Sequence, residues 1–129
     1  MDKAQAIHAF WSSFEWPALD EQSAYDEGVL EELGIGDRYI TYEVSISNFG
    51  DQVSLTASLW CRSTSWEDIS KKADEIADYI GLGGRLIRTD DGAIWIKLGT
   101  PFAQRMAVQE DSFLRRIYLN TSAEFLTAT

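Results

Sequence analysis

Few residues in this sequence have a type and spacing that could perform chemistry. There is a single histidine, His8, so no metal site can use two histidines of one chain, and a single cysteine, Cys61, so no internal disulfide can form. Cys61 falls in an alternating apolar series, where we expect a small buried side chain rather than a reactive thiol. His8 stands beside the apolar stripe of the first predicted helix, where we expect a partly packed surface residue.

The acidic residues are the remaining candidates for binding a cation. Three adjacent pairs fall between residues 20 and 32: Asp20 and Glu21, Asp26 and Glu27, Glu31 and Glu32. Their offsets do not match a calcium-binding loop, whose glycine and terminal glutamate are missing here. A solvated acidic segment is therefore the expectation, and a loosely held Mg²⁺ or Ca²⁺ at a subunit contact stays open. We predict no metal site and no cofactor.

Two short motifs resemble catalytic or phosphate-binding sequences only in composition. The glycines of "GLGG", residues 81–84, close a predicted helix, whereas a phosphate loop opens one so that the helix N-terminus faces the phosphate. The serines of "STS", residues 63–65, have no histidine placed by a recognisable motif. Carboxylate pairs of the glycosidase kind meet only in the fold, and nothing in the sequence argues for one. We predict that the protein is not an enzyme and has no catalytic residues.

Charge is distributed unevenly along the chain. The formal net charge of −10 argues against a surface that binds phosphate backbones, so no sequence-specific nucleic acid is expected. Residues 1–64 carry three basic and eleven acidic side chains, whereas residues 85–129 carry six basic and five acidic ones. This asymmetry suits copies that meet through unlike faces, and solubility explains it about as well. No apolar run has the roughly 20 residues of a membrane helix, and the first residues lack a signal-peptide pattern, so we expect assembly in the cytoplasm.

Hydrophobic periodicity predicts seven elements that would position these residues. Helices are predicted over 2–14 and 63–81, strands over 39–49, 53–62 and 112–126, and a two-stranded hairpin around "DDG" over 84–99. This order, α-β-β-α-β-β-β, indicates an α+β fold with a mainly antiparallel five-stranded sheet and two helices packed on one face. One domain over residues 1–129 is expected, with 18–38 as an acidic loop excursion from the core.

The two helices have the clearest signals. In the first, apolar residues recur at helical spacing, and Pro17 is expected to stop it. In the second, Ser65 is expected to cap the N-terminus, Trp66 to begin the apolar face, and Lys72 to lie on a mostly solvated face. Gly81 is expected to end this helix.

Aromatic residues also occur in the polar-facing series of the predicted strands. Trp60 alternates with the apolar residues of its strand, and Trp95 and Tyr118 are expected on the same side, away from the helices. Tryptophan, tyrosine and arginine are enriched where proteins meet. This predicts a partner surface, unless the first helix or the acidic segment covers it. An alternative function follows: a monomeric binding module that uses the aromatic sheet face for a small ligand or peptide.

Four stretches, in order, resemble a protein family: "YITYEV", "LWCRSTSWEDISKKADEIADYIG", "AIWIKLGTPFAQRM" and "LRRIYLNTSAEF". Nearly the whole chain is similar to small tail terminator, tail completion or minor tail proteins of long-tailed phages and prophages of Gram-positive bacteria. The resemblance implies a tail-terminator-like α+β subunit of the virion tail. It also implies that the protein forms a ring with itself, hexameric in terminators of the lambda type. Such a ring caps the tail tube, contacts the major tail tube protein and meets the head-tail connector proteins.

A ring also suggests which residues make contacts. Ring contacts join one face of a subunit to a different face of the next. The stretch "GTPFAQRM" is therefore interpreted as an assembly loop in which Phe102 and Met106 bury against a neighbour while Gln104 and Arg105 make polar contacts. Folding of this loop back onto its own sheet is the alternative. Arg115 and Arg116, at the start of the last strand, complete the predicted contact set.

Overall fold

A computed structural model describes residues 1–21, 36–46, 52–108 and 111–127 of the chain. The elements, in chain order, are α1 (Lys3–Ser12), β1 (Ala18–Asp20), β2 (Arg38–Tyr42), β3 (Gln52–Arg62), α2 (Glu67–Ile80), β4 (Arg85–Thr89), β5 (Gly92–Met106) and β6 (Leu114–Thr127). The predicted α+β class is confirmed.

The strands form one mixed sheet with the order β1-β2-β3-β6-β5-β4. Every neighbouring pair is antiparallel except β1 and β2, which are parallel. The predicted strand number of five is wrong, because β1 adds a sixth strand at one edge. β1 falls within the segment that was predicted to be a loop, and the backbone amide of Ile40 donates to the carbonyl of Pro17 at 2.7 Å just before it. Residues 22–35 of that segment lie outside the described residues.

Both helices pack on the same face of the sheet. Ile7 and Trp11 of α1 and Ile69 and Ile76 of α2 are fully buried in one cluster with the strand side chains of that face. The alternation predicted for the last strand is confirmed, since its apolar series is at most 3% exposed: Ile117, Leu119, Thr121, Ala123 and Phe125. The helix-covered face therefore carries the hydrophobic core.

The helix ends differ from prediction in detail. α1 begins at a capping box, in which the Asp2 side chain accepts from the Gln5 amide and the Gln5 side chain accepts from the Asp2 amide. α2 has Trp66, not Ser65, at its N-cap position, although the Ser65 hydroxyl still accepts from the Glu67 amide at 3.1 Å. Gly81 ends α2, as predicted, but its φ of 75° and ψ of 168° differ from the left-handed helical cap and suit glycine alone.

Lys72 is not solvated as predicted. It is only 9% exposed, and its ammonium donates to the carbonyl of Phe14 at 2.8 Å and to the carboxylate of Glu75 at 2.9 Å. Lys72 thus ties α2 to the turn after α1, because a buried ammonium needs such acceptors to offset its desolvation.

The strand predicted over 39–49 is shorter than its alternation suggested. β2 ends at Tyr42, and Val44 and Ile46, predicted for the covered side, are exposed beyond it. Residues 47–51, including the predicted turn, lie outside the described residues. The hairpin predicted at "DDG" is confirmed, because Thr89 pairs with Gly92 across a two-residue turn.

Candidate functional site

Arginines are concentrated at one end of the sheet, where β3 and β5 finish and β2 and β6 begin. Trp60 pairs with Arg116 across β3 and β6, and Met106 pairs with Arg116 across β5 and β6. Five of the seven arginines lie here and define what we call the arginine end: Arg38, Arg62, Arg105, Arg115 and Arg116. The antiparallel register therefore unites residues that are far apart in sequence.

On the helix-covered side, two of these arginines share one indole ring. The guanidinium carbon of Arg105 lies 4.9 Å from the ring centroid of Trp66, and that of Arg115 lies 5.3 Å from it. Arg115 is fixed further, because its Nε donates to the Ser63 carbonyl and its Nη2 to the Thr64 carbonyl, both at 3.1 Å. Trp66 thus acts as a platform that holds two cations in defined positions.

On the open face, Arg116 lies over a second aromatic layer. Its guanidinium carbon is 4.9 Å from the centroid of Trp60 and 5.8 Å from that of Tyr118, and its Nε donates to the Ser58 hydroxyl at 3.1 Å. The Trp60 ring stacks on Tyr39 with 5.9 Å between centroids and an interplanar angle of 11°. The prediction that Trp60 and Tyr118 lie opposite the helices agrees with their pairing and with the half-buried state of both side chains.

The five arginines differ in whether a carboxylate neutralises them. Arg38 pairs with Asp68, and Arg62 pairs with Asp111. The hydrogen bond from Arg62 lowers the pKa of the Asp111 carboxyl below its ordinary value, and the Phe113 amide adds to this effect. Among the described residues, no carboxylate pairs with the other three arginines: Arg105, Arg115 and Arg116. The arginine end therefore keeps excess positive charge on a chain whose net charge is −10.

The predicted assembly loop is part of a strand. β5 continues through Gly99, Thr100 and Pro101 to Met106, with a register shift relative to β6 between Leu98 and Ala103. The Thr100–Pro101 peptide bond is cis, and Asn120 of β6 donates to the Pro101 carbonyl at 3.3 Å. The loop interpretation is wrong because this bulge lets the chain rejoin the ladder after the proline.

The six predicted contact residues are consequently divided between both faces of the sheet. Arg105 and Arg115 lie with Trp66 on the helix-covered side, whereas Gln104, Met106 and Arg116 lie on the open face. Phe102 is half-buried and packs against the core of its own chain. Their contact with another subunit stays a prediction.

The part that Trp66 plays at this end is not predictable from the local sequence. Its position at the start of an amphipathic helix predicted a core residue, and it does pack against the core. The stacking of two arginines on it depends on the pairing of β5 with β6, which the local pattern does not reveal. Phe113, 56% exposed just before β6, was also not identified as a surface residue.

Other reactive side chains lie outside this end or inside the core. Cys61 is 2% exposed, and burial raises the pKa of its thiol. His8 contacts the Tyr42 hydroxyl at 2.6 Å and the Ser12 hydroxyl at 3.2 Å. In the described part of the chain, no three His, Cys, Asp or Glu side chains converge as a metal site would require. The absence of metal, cofactor and enzyme activity stays a prediction.

An acidic concavity lies at the opposite end of β2 from Arg38. Its volume is about 320 Å³, and its lining includes the carboxylates of Asp20, Glu21 and Glu43. Burial, followed by the charge of Asp20, raises the pKa of the nearby Tyr42 hydroxyl. The protein thus carries opposite charges at the two ends of its sheet.

Comparison of the chain with protein-family models, with curated proteins and with solved structures finds no match. Neither described helix has the length and apolar character needed to cross a membrane.

Proposed function

We propose that this protein is a non-enzymatic structural subunit of a phage or prophage virion, a tail terminator or tail completion protein. The observation that carries the proposal is the arginine end, where Arg105, Arg115 and Arg116 are held against aromatic rings without a carboxylate partner among the described residues. Stacked guanidiniums with free donors fit carboxylates on another protein surface, and they lose little conformational freedom on binding.

Charge separation within the subunit supports contacts between copies. The acidic concavity around Glu43 and the arginine end occupy opposite ends of the sheet. A contact between such unlike surfaces is heterologous, and it closes into a ring when the rotation between subunits permits. In the proposed virion the ring, hexameric by resemblance, caps the tail tube, contacts the major tail tube protein and joins the head-tail connector. It is assembled in the cytoplasm of the bacterial host.

Particle assembly in the producing bacterium provides the test. The double variant Arg105→Glu with Arg116→Glu reverses the charge on both faces of the arginine end. Lys71→Glu is the control of like kind, since Lys71 is exposed on α2 and pairs with Glu67 of the same helix. We expect electron microscopy to show unjoined heads and tails for the double variant and normal particles for the control.

Two outcomes would contradict the proposal. Normal particles from the double variant would show that the arginine end is not the contact surface. Normal particles from a strain that lacks the gene would remove the tail function itself.

The stacked layer on the open face favours a second candidate, the monomeric binding module. Tyr39, Trp60 and Tyr118 form this layer with Arg116, on the face that the described helices leave uncovered. Such a module would stay monomeric when bound and would leave particle assembly unaffected. Sedimentation velocity over a range of protein concentrations, together with the particle counts, distinguishes the two functions.

A further inference from the structure

A second surface, separate from the arginine end, lies along β4, which is an edge strand of the sheet. An open groove of about 660 Å³ is lined by Gly83, Gly84, Arg85, Leu86, Trp95 and Leu126. Leu86 is 61% exposed and Leu82, on the preceding turn, is fully exposed. Two leucines displayed beside a tryptophan are typical of a contact surface rather than of scattered surface residues. We call this surface the β4 groove.

The turn beside the β4 groove is held by a hydrogen bond and by close packing. The indole Nε1 of Trp95 donates to the Gly83 carbonyl at 3.0 Å, which fixes the turn between α2 and β4. Gly84 has a φ of 84°, and a Cβ added there would lie 2.5 Å from that Nε1. The Lys97 ammonium lies 3.7 Å from the centroid of the same indole. A preformed surface loses little entropy on binding.

The backbone of β4 has an unpaired side. Because Thr89 and Gly92 flank a two-residue turn, alternate residues from Thr89 bond to β5, and Leu86 and Arg88 direct their N–H and C=O groups outward. Among the described strands, none pairs with this side. Asp90, two residues further on, already donates its amide to the Met1 carbonyl at 2.8 Å. The outward N–H and C=O groups of Leu86 and Arg88 are therefore left for another segment.

Charge indicates what kind of segment fits. Arg85 lies with its guanidinium carbon 3.9 Å from the Tyr79 centroid, and Arg88 is exposed. Within the described residues, no carboxylate pairs with Arg85, Arg88 or Lys97. Three cations around an apolar groove favour a ligand that carries carboxylates next to apolar side chains.

We propose that the β4 groove binds an extended acidic segment of another protein, which adds to the sheet as a seventh strand. Its backbone bonds to Leu86 and Arg88, and an apolar side chain enters the groove beside Trp95. Its carboxylates lie on the opposite side of the segment, where they pair with Arg85, while Arg88 attracts them at longer range. A second copy of this chain fits less well, because two-fold pairing of β4 with itself places the two Arg88 side chains diagonally, about 7–8 Å apart. This inference does not depend on the tail function.

The test uses the synthetic peptide EVELEVE, acetylated and amidated, added to isotope-labelled full-length protein. We expect NMR shifts at the amides of Leu86 and Arg88 and at the Trp95 indole, with slower amide exchange at both residues. The double variant Arg85→Glu with Arg88→Glu should keep its dispersed spectrum and bind at least about tenfold more weakly. The basic peptide KVKLKVK should not bind, and the Arg105→Glu with Arg116→Glu variant should bind EVELEVE like the wild type.

Three results would overturn the inference. They are no shift at β4 with millimolar EVELEVE, equal binding of EVELEVE and KVKLKVK, or unchanged EVELEVE binding by the double variant Arg85→Glu with Arg88→Glu. Sedimentation of the protein alone tests whether a second copy of the chain occupies the β4 groove. A dimer that Leu86→Lys disrupts would show that the occupant is a second copy, not a segment of a different protein.

Discussion

The two faces of the sheet are built from the same strands but held together by different interactions. On the helix-covered face, aliphatic side chains such as Leu59 and Leu119 are fully buried under two helices. On the open face, the neighbouring positions Trp60 and Tyr118 are half-buried and are covered by the guanidinium of Arg116. The comparison indicates that stability resides mainly on one face, so that the other can present arginines and aromatic rings to partners.

The largest expected effect on stability comes from truncating a leucine on the helix-covered face, compared with truncating a leucine on the open face. Leu59→Ala removes a fully buried side chain and should lower the free energy of unfolding by about 2–5 kcal/mol. Leu86→Ala, on the open face, should change it by no more than about 0.5 kcal/mol, since Leu86 is 61% exposed. Urea denaturation of both variants measures the difference, and equal losses would contradict the comparison.

A second pair of variants tests the rigidity of the turn beside the open face. Gly84→Ala should destabilise the fold by about 1–3 kcal/mol, because alanine is strained at a φ of 84° and its Cβ would meet the Trp95 indole. Gly83→Ala is the matched control, since nothing lies within 4 Å of a Cβ at that position. Thermal unfolding should show a lower Tm for the first variant only. A Gly84→Ala protein as stable as the control would show that the turn adapts.

The stacked arginine on the open face should contribute less than a buried leucine. Arg116→Ala removes contacts with Trp60 and Tyr118 and a hydrogen bond to Ser58, so a loss of about 1 kcal/mol is expected. Arg88→Ala, an exposed arginine without a described contact, should leave urea denaturation unchanged. If Arg116→Ala lowered the free energy of unfolding as much as Leu59→Ala does, the open face would be a second core.

The smallest effect concerns the ion pair at the arginine end. Because Arg62 lowers the pKa of Asp111 in the folded protein, this pair stabilises the fold above the ordinary carboxyl pKa. The contribution is lost as the pH falls through the lowered pKa of Asp111. An NMR titration should place the Asp111 midpoint below its ordinary value, and Arg62→Gln should raise that midpoint. A midpoint that does not move in Arg62→Gln would show that Arg62 is not the cause.

Long regular elements could be predicted from the sequence because their periodicity records which side is buried. The alternation of β6 and the apolar stripe of α2 are examples, and each places its core residues correctly. β1 could not be found in this way, because three residues are too few to show a period. Its pairing depends on β2, which lies about twenty residues later in the chain.

The candidate site could be predicted only in part, for a similar reason. The sequence marked Arg105, Arg115 and Arg116 as contact residues, and the pairing of β5 with β6 brings them to one end of the sheet. The stretch before Arg105 contains glycine and proline, which locally indicate a turn, but a bulge keeps it in the strand. Similarly, Lys72 was assigned to solvent because its burial depends on the carbonyl of Phe14, a long-range acceptor.

Met1 and Thr127 lie together at the β4–β5 hairpin, because Asp90 bonds to Met1 and Gly92 pairs with Thr127. Along β6, the eleven residue steps from Thr127 to Arg116 span about 36 Å. A fluorescent dye attached at residue 1 would therefore leave the arginine end unobstructed. It would still be within range for energy transfer to an acceptor on a partner bound at the arginine end. The same dye would sit next to a peptide on β4, so transfer efficiency alone could tell which of the two surfaces a partner occupies.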